Sequence, residues 1–466
     1  MSDTAPSNGS HLWTDELEAR SAYATDVSGI HHVPGHLARP AEREVLLEVL
    51  REAASRRLSV TPAGAQTSTT GASVAPEDGL LLSTAALKRV IDIDVAARTA
   101  RVEPGVVLGD LNSQLASEGL FFAPDPTSEN EATIGGSIAC NASGARTLMY
   151  GPTRGHVRAL TVALADGSLL ELRRPGLDKN TVGFTPVHDP VDWFVGSEGT
   201  LGVIVEAEVS LLPLPSSVVG LGIPFPDQSS ALAFVVAARL SPRLHPRCLE
   251  YFDQTAFGFA REAHGGGAWQ GVEGTMVYLE EAGEDEPDFE GWLELAEAHG
   301  ADAEAIAVFD DESSLREARR IRHACPAAMH EMTGPYIAAG GRRISTDWAV
   351  PLERVDEALQ RSAQIAAAHG IAAPVTYGHL GNGHPHQNWV GQSPEHVRQI
   401  EAAVEETLKT VVLPFGGTVA AEHGIGKLKA RWLPLQVNRH QLALMRALKA
   451  EFDPEGRMAP GNVLAG

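Results

Sequence analysis

Residues 123–157 form a glycine-rich stretch, APDPTSENEATIGGSIACNASGARTLMYGPTRGHV, which strongly limits what this chain can fold into. Glycine, serine, threonine and asparagine are frequent there, so the backbone can approach a flat or anionic ligand and present its N–H groups. A loop this long inside a compact domain is uncommon unless it is functional or disordered. The apolar Ile134, Ile138 and Ala139 argue against disorder. We therefore expect this stretch to lie along a large bound cofactor.

A second glycine-rich segment, TPAGAQTSTTGASV at residues 61–74, directly follows the β-like residues 58–60. Pro62, Gly64 and Gly71 predict a sharp turn whose amides and hydroxyls suit a pyrophosphate. The segment matches neither GxxxxGK[ST] nor a GxGxxG that follows a strand and opens a helix. It therefore predicts a phosphate-binding loop outside the two most common nucleotide-binding classes.

Together these segments resemble the FAD-linked oxidases of the vanillyl-alcohol-oxidase (PCMH-type) superfamily. In that family a strand–proline–glycine loop holds the FAD pyrophosphate, and a PDP…ATIGGxIAxNAxGxR…YGxTRxHV segment lies along the flavin. This chain has both in order, followed by FVGSEGTLGVI at residues 194–204. The C-terminal half is similar to the branch that contains D-lactate, D-2-hydroxyglutarate and glycolate oxidising enzymes.

The resemblance implies bound FAD, held without a covalent bond because residues 62–74 lack the histidine that attaches flavin in covalent members. The cofactor-binding residues that it implies are Pro62, Gly64, Ala65, Gln66, Thr67, Ser68, Thr70, Pro126, Thr133, Gly135, Gly136, Ala139, Asn141, Gly144, Tyr150, Gly151, Glu198, Gly199, Val203 and Ile204.

The expected fold class is α+β, and 466 residues are too many for one ordinary core. The resemblance implies a PCMH-type FAD-binding domain, a substrate or cap domain with an antiparallel sheet, and a C-terminal segment that returns to the FAD domain. A cluster of prolines after residue 212 predicts the domain boundary. The expected divisions are a mobile N-terminus at 1–20, the FAD domain at 21–215, the cap domain at 216–420 and the return segment at 421–466.

Hydrophobic periodicity and turn residues predict several elements of secondary structure. In the first domain they are a helix after Pro40, a hairpin at 89–102, a helix at 107–119, a hairpin at 160–172 around Asp166 and Gly167, and a strand at 203–212. In the second domain they are helices at 231–240, 289–298, 352–368 and 394–413, and strands at 274–279 and 373–377.

Composition narrows the classes of partner and the location. With 37 basic and 60 acidic residues, the formal net charge is −23, which argues against nucleic acid and anionic membranes as partners. Cys140, Cys248 and Cys325 are far apart with no CxxC, so neither an iron–sulfur cluster nor a disulfide framework is indicated. We expect a reducing, cytoplasmic location, with no apolar leader and no membrane span.

Histidines cluster in YGHLGNGHPHQN at residues 377–388. His379 and His386 are seven residues apart, with His384 between them, and Gly381, Gly383 and Pro385 are expected to exclude regular structure. In one strand an odd spacing would point the two imidazoles to opposite faces, so a bent loop is expected to bring them together. Imidazoles and one carboxylate suit a Zn²⁺-like ion with an open position. From the spacing alone, polar loop residues are an equally good interpretation.

The resemblance implies roles for these residues. In the family an HxGDGNxH motif supplies two histidine ligands, and an EHG motif supplies a glutamate ligand and then the catalytic histidine. Carried over, the metal ligands are His379, His386 and Glu422, the base is His423, and the ion is Zn²⁺ or Mn²⁺. Two positions depart from the pattern, since the motif's Asp is Asn382 and its Asn is His384. That change would alter the choice of metal or add a fourth ligand.

The segments RHAxP and KxxTDxAVP of the family select Arg322 and Arg343 as partners of the substrate carboxylate. The implied reaction is FAD-dependent oxidation of a small, D-lactate-like 2-hydroxy acid to the 2-keto acid. In it C2 hydride goes to the flavin, His423 acts as base and the metal orients the hydroxyl. An electron acceptor such as a quinone or cytochrome is then needed, and a homodimer is a further hypothesis.

Alternatives within the branch are D-2-hydroxyglutarate dehydrogenase and a glycolate oxidase flavoprotein subunit. Two alternatives outside it are a transferase resembling alkylglycerone-phosphate synthase and a non-catalytic flavoprotein subunit.

Overall fold

Helices and strands alternate along the computed structural model of this chain, which describes residues 12–177, 179–184, 188–265, 269–283 and 287–464. The α-helices are α1 (Leu17–Ser21), α2 (Arg43–Ser55), α3 (Leu108–Leu115), α4 (Ile134–Cys140), α5 (Thr147–Tyr150), α6 (Gln228–Leu240), α7 (Gln254–Ala263), α8 (Phe289–Ala298), α9 (Glu312–Ile337), α10 (Val355–Ala368), α11 (Pro394–Thr407), α12 (Leu433–Gln436) and α13 (Arg439–Phe452).

The strands of the first half are β1 (His36–Ala38), β2 (Val60–Ala63), β3 (Leu80–Ser83), β4 (Val90–Asp94), β5 (Thr99–Val102), β6 (Leu120–Phe121), β7 (Val157–Ala163), β8 (Leu169–Arg173), β9 (Val203–Ser210) and β10 (Leu212–Pro213). Those of the second half are β11 (Ser217–Phe225), β12 (Pro246–Phe252), β13 (Thr275–Gly283), β14 (Ala307–Phe309), β15 (Arg342–Ser345), β16 (Val375–His379) and β17 (His384–Gly391).

Contacts between residues divide the chain into two units. The first unit comprises Met1–Ser143, Pro152–Leu214 and Glu422–Gly466, and the second comprises Gly144–Gly151 and Pro215–Ala421. The sequence had assigned Gly144–Gly151 to the FAD-binding domain. In the structure Leu148, in α5, lies beside Gly381 of the second unit, which explains the different assignment.

The first unit contains a parallel sheet of order β1-β3-β2 and an antiparallel sheet of order β4-β5-β9-β7-β8. Helix α2 buries Leu46, Val49 and Leu50 against the parallel sheet, and each fully buried side chain of this size contributes roughly 1.5–3 kcal/mol. The C-terminal segment returns to this unit, where the amide of Ala459 donates to the carbonyl of Val60 (2.8 Å). This return follows the expectation from the resemblance.

The N-terminal segment is described from residue 12 onward. Residues 1–11 lie outside the described residues, but Thr14 pairs with Leu37 through two backbone hydrogen bonds of 2.9 and 3.1 Å, and Trp13 is buried. An apolar side chain and a strand edge therefore hold residues 13 and 14, which lie within the segment at 1–20 that the sequence predicts to be mobile.

The second unit is built on a seven-stranded sheet of order β14-β11-β13-β12-β16-β17-β15, whose strand pairs are antiparallel. Helix α9 packs on it through Ala318, Ile321 and Cys325. The sequence did not predict this helix as an element, and the helix contains Pro326 and Pro335, residues that normally interrupt helices. Its buried face outweighs that cost.

Most of the predicted elements are confirmed, with shifts of a few residues at their ends. The hairpins at 89–102 and 160–172 are β4–β5 and β7–β8. The helix predicted at 394–413 is α-helical only to Thr407 and continues as a π-helical turn at Leu408–Val412. Among the described residues, no helix combines the length and apolar character that a membrane span requires.

Candidate functional site: a buried histidine cluster and a glycine-rich cofactor cradle

The three histidines of residues 377–388 lie on a tight β-hairpin. Strand β16 ends at His379, a 3-10 turn and Gly383 (φ 67°) reverse the chain, and β17 begins at His384. The prediction that glycine and proline exclude regular structure here was wrong, because Pro385 lies within β17. The odd spacing of His379 and His386 would separate their side chains only within one strand, and here the two residues lie on different strands. Across the hairpin His379 pairs directly with His384, and cross-strand partners share a face.

The three imidazoles form one compact, buried cluster in the second unit. Their ring centroids are 4.5 Å (His384–His386), 5.4 Å (His379–His386) and 5.5 Å (His379–His384) apart. One ring nitrogen from each lies within 4.8 Å of the others. His384 and His386 are two residues apart in β17, so they too point to one face.

Two of the rings are oriented by acceptors on their Nδ1 side. Nδ1 of His379 lies 2.7 Å from Oε1 of Glu250, and Nδ1 of His386 lies 3.2 Å from the carbonyl oxygen of Thr346. A carbonyl or carboxylate oxygen accepts, so both rings carry the proton on Nδ1, and the lone pair of the neutral ring is on Nε2. Histidine ligands of metals are supported in this way. Sequence reasoning missed Glu250, although a glutamate within the mostly apolar strand β12 was a signal.

His384 differs from the other two. Its Nε2 is buried, lies 3.1 Å from Oδ1 of Asp347, and forms no hydrogen bond of acceptable geometry with the described residues. Three imidazoles close together with a carboxylate nearby are the donor set of a divalent transition-metal ion. The residues of the second unit therefore fit the metal that the resemblance implies.

Both arginines selected from the sequence lie close to this cluster. The Arg343 guanidinium donates to Oδ1 of Asn388 from Nε (3.0 Å) and Nη2 (2.7 Å), and Nη2 also donates to the Tyr377 hydroxyl (2.8 Å). Tyr377 pairs with His386 across the hairpin, and burial raises its pKa to about 12. In α9, Nε of Arg322 lies 3.5 Å from Oε2 of Glu250. Glu250 therefore connects Arg322 to His379.

In the first unit, the predicted phosphate loop follows β2. Backbone amides of residues 65–68 donate no hydrogen bond to the part of the chain that the structure describes. Gln66 has a left-handed backbone (φ 55°), and a β-carbon built on Gly64 would lie 2.4 Å from Oγ1 of Thr133. Pro62 packs against Gly199. The loop is thus a close-packed cradle of available N–H groups, as a pyrophosphate requires.

Glu198 links the other cofactor segments of the first unit. Its buried carboxylate accepts from the amides of Ile425 and Gly426 (both 2.6 Å), and its own amide donates to Ala139 (2.8 Å). Burial raises the pKa of this carboxyl, although the two amides act in the opposite direction. The carbonyl of Thr70 accepts from the Lys427 amide (2.9 Å), so the phosphate loop and the segment after the EHG motif are in contact.

The candidate base lies beside the same loop. Oγ1 of Thr70 donates to the His423 carbonyl (3.4 Å), and Nε2 of His423 is 3.3 Å from Oε1 of Glu422. The His423 side chain is 29% exposed, so solvent or a ligand can reach it.

The remaining predicted cofactor residues fall into three groups. Thr133 caps α4 by accepting from the Gly136 amide (3.3 Å), Gly135 packs on Pro104, and Asn141 ends the helix with φ 50°. Pro126 lies in a turn, and Val203 and Ile204 bury their side chains in the cores of the first unit. Gly144, Tyr150 and Gly151 belong to the second unit.

Comparison with known families agrees with this geometry. A model of the FAD binding domain matches residues 34–173, and a model of the C-terminal domain of FAD linked oxidases matches residues 214–463. The chain therefore belongs to the FAD-linked oxidases, and it is an oxidoreductase with an FAD-binding domain.

Similar curated proteins cover nearly the whole chain. Glycolate oxidase subunit GlcD of Bacillus subtilis is 30% identical over 98% of this chain and 95% of that protein. A D-lactate dehydrogenase of Archaeoglobus fulgidus is 31% identical over 92% and 91%. A D-2-hydroxyglutarate dehydrogenase of Xanthomonas citri pv. viticola is 30% identical over 92% and 89%.

Among solved structures, an alkyldihydroxyacetonephosphate synthase has a TM-score of 0.74 over 96% of this chain and 82% of that one, at 17% sequence identity. At that identity the likeness concerns the fold alone.

Proposed function

We propose that this protein oxidises a small, D-lactate-like 2-hydroxy acid to the 2-keto acid with FAD. The observation that carries the proposal is the buried histidine cluster in the second unit, with Arg343 and Arg322 beside it. Such a set would bind a cation for the hydroxyl and would offer guanidiniums to the carboxylate of one small molecule. The relatives described above act, by their names, on glycolate, D-lactate and D-2-hydroxyglutarate, and all three are 2-hydroxy acids.

FAD would be held without a covalent bond by residues 62–70, 133–141 and 198–199. When bound, its isoalloxazine ring supplies the redox chemistry by accepting hydride from C2 of the substrate. The 65–68 amides would bind the pyrophosphate. Glu198 would hold the backbone of Ile425 and Gly426 in place against them. The electrons would leave through a quinone, a cytochrome or another acceptor.

His379, His386 and Glu422 would hold a divalent ion, Zn²⁺ or Mn²⁺, as the resemblance implies. When bound, the ion lowers the pKa of a coordinated hydroxyl. His423 would take the hydroxyl proton, since imidazole exchanges protons near neutral pH. Arg343, fixed by Asn388 and Tyr377, and Arg322 would bind the carboxylate as planar donors.

Anaerobic mixing of the purified protein with D-lactate, D-2-hydroxyglutarate, glycolate and L-lactate tests the proposal. One or more of the D-acids or glycolate should bleach the flavin absorbance. Treatment with a chelator should abolish bleaching while FAD stays bound, because the proposed histidine ligands and the phosphate loop belong to different units; added Zn²⁺ or Mn²⁺ should restore it. Bleaching by none of the acids would contradict the proposal, and full bleaching of metal-free protein would remove the metal from it.

Replacement of Arg322 by lysine should mainly raise KM, by roughly tenfold or more, because a point charge replaces a planar fork at the carboxylate. Steady-state kinetics with the acid that bleaches the flavin would measure it. Arg316→Lys is a matched control on the same helix, since Arg316 is exposed and pairs with Glu312. An unchanged KM in Arg322→Lys would place Arg322 outside the substrate site.

A further inference from the structure

We propose that His384 is a third imidazole ligand, so that the second unit alone supplies three nitrogen donors to the divalent ion. This deepens the proposed function, on which it rests, by naming the ligand set and the class of metal at that site. His384 stands where the related motif has asparagine, so the resemblance does not assign it this role.

His384 lies directly beside the two histidines already proposed as ligands. His384 pairs with His379 across the hairpin and shares the face of β17 with His386. Its ring is the nearest neighbour of the His386 ring, at 4.5 Å, and the residue is only 3% exposed. The His384 side chain therefore lies on the same face of the hairpin as the other two imidazoles and next to them.

The ring nitrogens of the three histidines differ in their hydrogen-bond partners. His379 and His386 turn Nδ1 toward Glu250 and Thr346, so their Nε2 atoms point away from those acceptors. The buried Nε2 of His384 forms no hydrogen bond with the described residues, although Oδ1 of Asp347 lies 3.1 Å away. An unsatisfied buried nitrogen is costly, and coordination to a cation beside Asp347 would remove that cost.

A third imidazole ligand also affects which divalent metal the site binds most tightly. Three neutral imidazoles favour Zn²⁺, Co²⁺ or Ni²⁺ over Mn²⁺, which prefers oxygen ligands. We therefore assign this centre to the zinc class, with Mn²⁺ as the weaker occupant.

The test compares metal affinity in the full-length flavoprotein. Metal-free wild type, His384→Asn and a control variant, His369→Asn, are titrated with Zn²⁺ and Mn²⁺ in competition with a chromophoric chelator. His369 is a suitable control because it lies in the same unit and pairs with Glu406 at the surface. His384→Asn should lose Zn²⁺ affinity by more than the roughly 10–100-fold that removal of an outer-shell partner causes. Its Mn²⁺ affinity should change by less than tenfold. Equal losses for both metals, or none, would overturn the proposal.

A measurement without mutation guards against a variant that misfolds. X-ray absorption of the Zn²⁺-loaded wild type should show scattering from three imidazole rings per zinc, and two rings would overturn the assignment.

The two proposals fail in different ways. Three imidazoles per zinc in a protein whose flavin no hydroxy acid bleaches would leave the ligand set intact and refute the proposed reaction. If a hydroxy acid bleaches the flavin only when metal is present, but His384→Asn keeps the metal preference of the wild type, the proposed reaction stands and the role of His384 as a ligand is refuted.

Discussion

Replacement of His423 by alanine should slow flavin reduction by the substrate about 10²-fold or more, the usual contribution of a positioned base. FAD content should stay the same, because the His423 carbonyl oxygen, which accepts from Thr70 of the phosphate loop, is kept in the variant. The proposed metal ligands are also kept, so the protein should still bind its ion. Stopped-flow absorbance under anaerobic conditions measures the rate. His440→Ala is the control, since His440 lies exposed at the start of α13 in the same unit.

The pH profile separates a base from a merely structural histidine. In the wild type the reduction rate should rise with pH as one group loses its proton, and His423→Ala should lack that limb. Added imidazole should restore part of the rate, since the side chain is partly exposed. Wild-type rates in His423→Ala would refute the assignment of the base.

Replacement of Glu280 by glutamine should lower the free energy of unfolding of the second unit by about 3–5 kcal/mol. Glu280 is fully buried, accepts from Nε of Arg247 at 2.7 Å and from the Tyr278 hydroxyl at 2.8 Å, and lies 3.9 Å from Nε of Arg146. Without its charge, buried guanidinium charge is left uncompensated. Urea unfolding followed by the fluorescence of the buried tryptophans measures the loss. Glu357→Gln, at an exposed pair with Arg354 and Arg361, should change stability by no more than about 1 kcal/mol.

The stability of the protein in acid should also depend on Glu280. Burial alone would raise the pKa of Glu280, but Arg247, Arg146 and Arg322 together lower it from 4.5 to about 2. A lowered pKa means that the charged form stabilises the fold above pH 4.5, and that this contribution, about 3 kcal/mol, is lost as the pH falls from 4.5 to 2. Glu280→Gln should lack that part of the acid dependence. Parallel acid profiles for the two proteins would show that Glu280 is not the group responsible.

Local signals in the sequence predicted much of the fold. Asp166 and Gly167 placed a hairpin because such a pair suits the left-handed turn, and Gly167 has φ 77°. Helix α8 was predicted with its observed bounds, Phe289–Ala298. In these places the structure depends on residues that are neighbours in the chain.

Other parts depend on residues far apart in sequence and could not be predicted. Pro385 argued for a loop, yet pairing with β16 keeps it in a strand. Helix α9, which was not predicted as an element, contains Pro326, and its buried face decides its conformation. Glu250 is 129 residues from His379, and no local pattern connects them. The histidines were identified from their spacing and from the resemblance, but their common face and orienting partners required the strand register.

The hairpin that carries the histidines has a consequence for how the proposed metal site would be filled. Metal sites assembled from flexible loops are formed only on binding, so the ion and the fold are gained or lost together. Here β16 and β17 pair through five consecutive positions within a seven-stranded sheet, and Glu250 and Thr346 orient two rings from neighbouring segments of the same unit. Strand pairing and these two acceptors therefore hold the three imidazoles together. The protein would therefore fold first and bind the proposed ion afterwards.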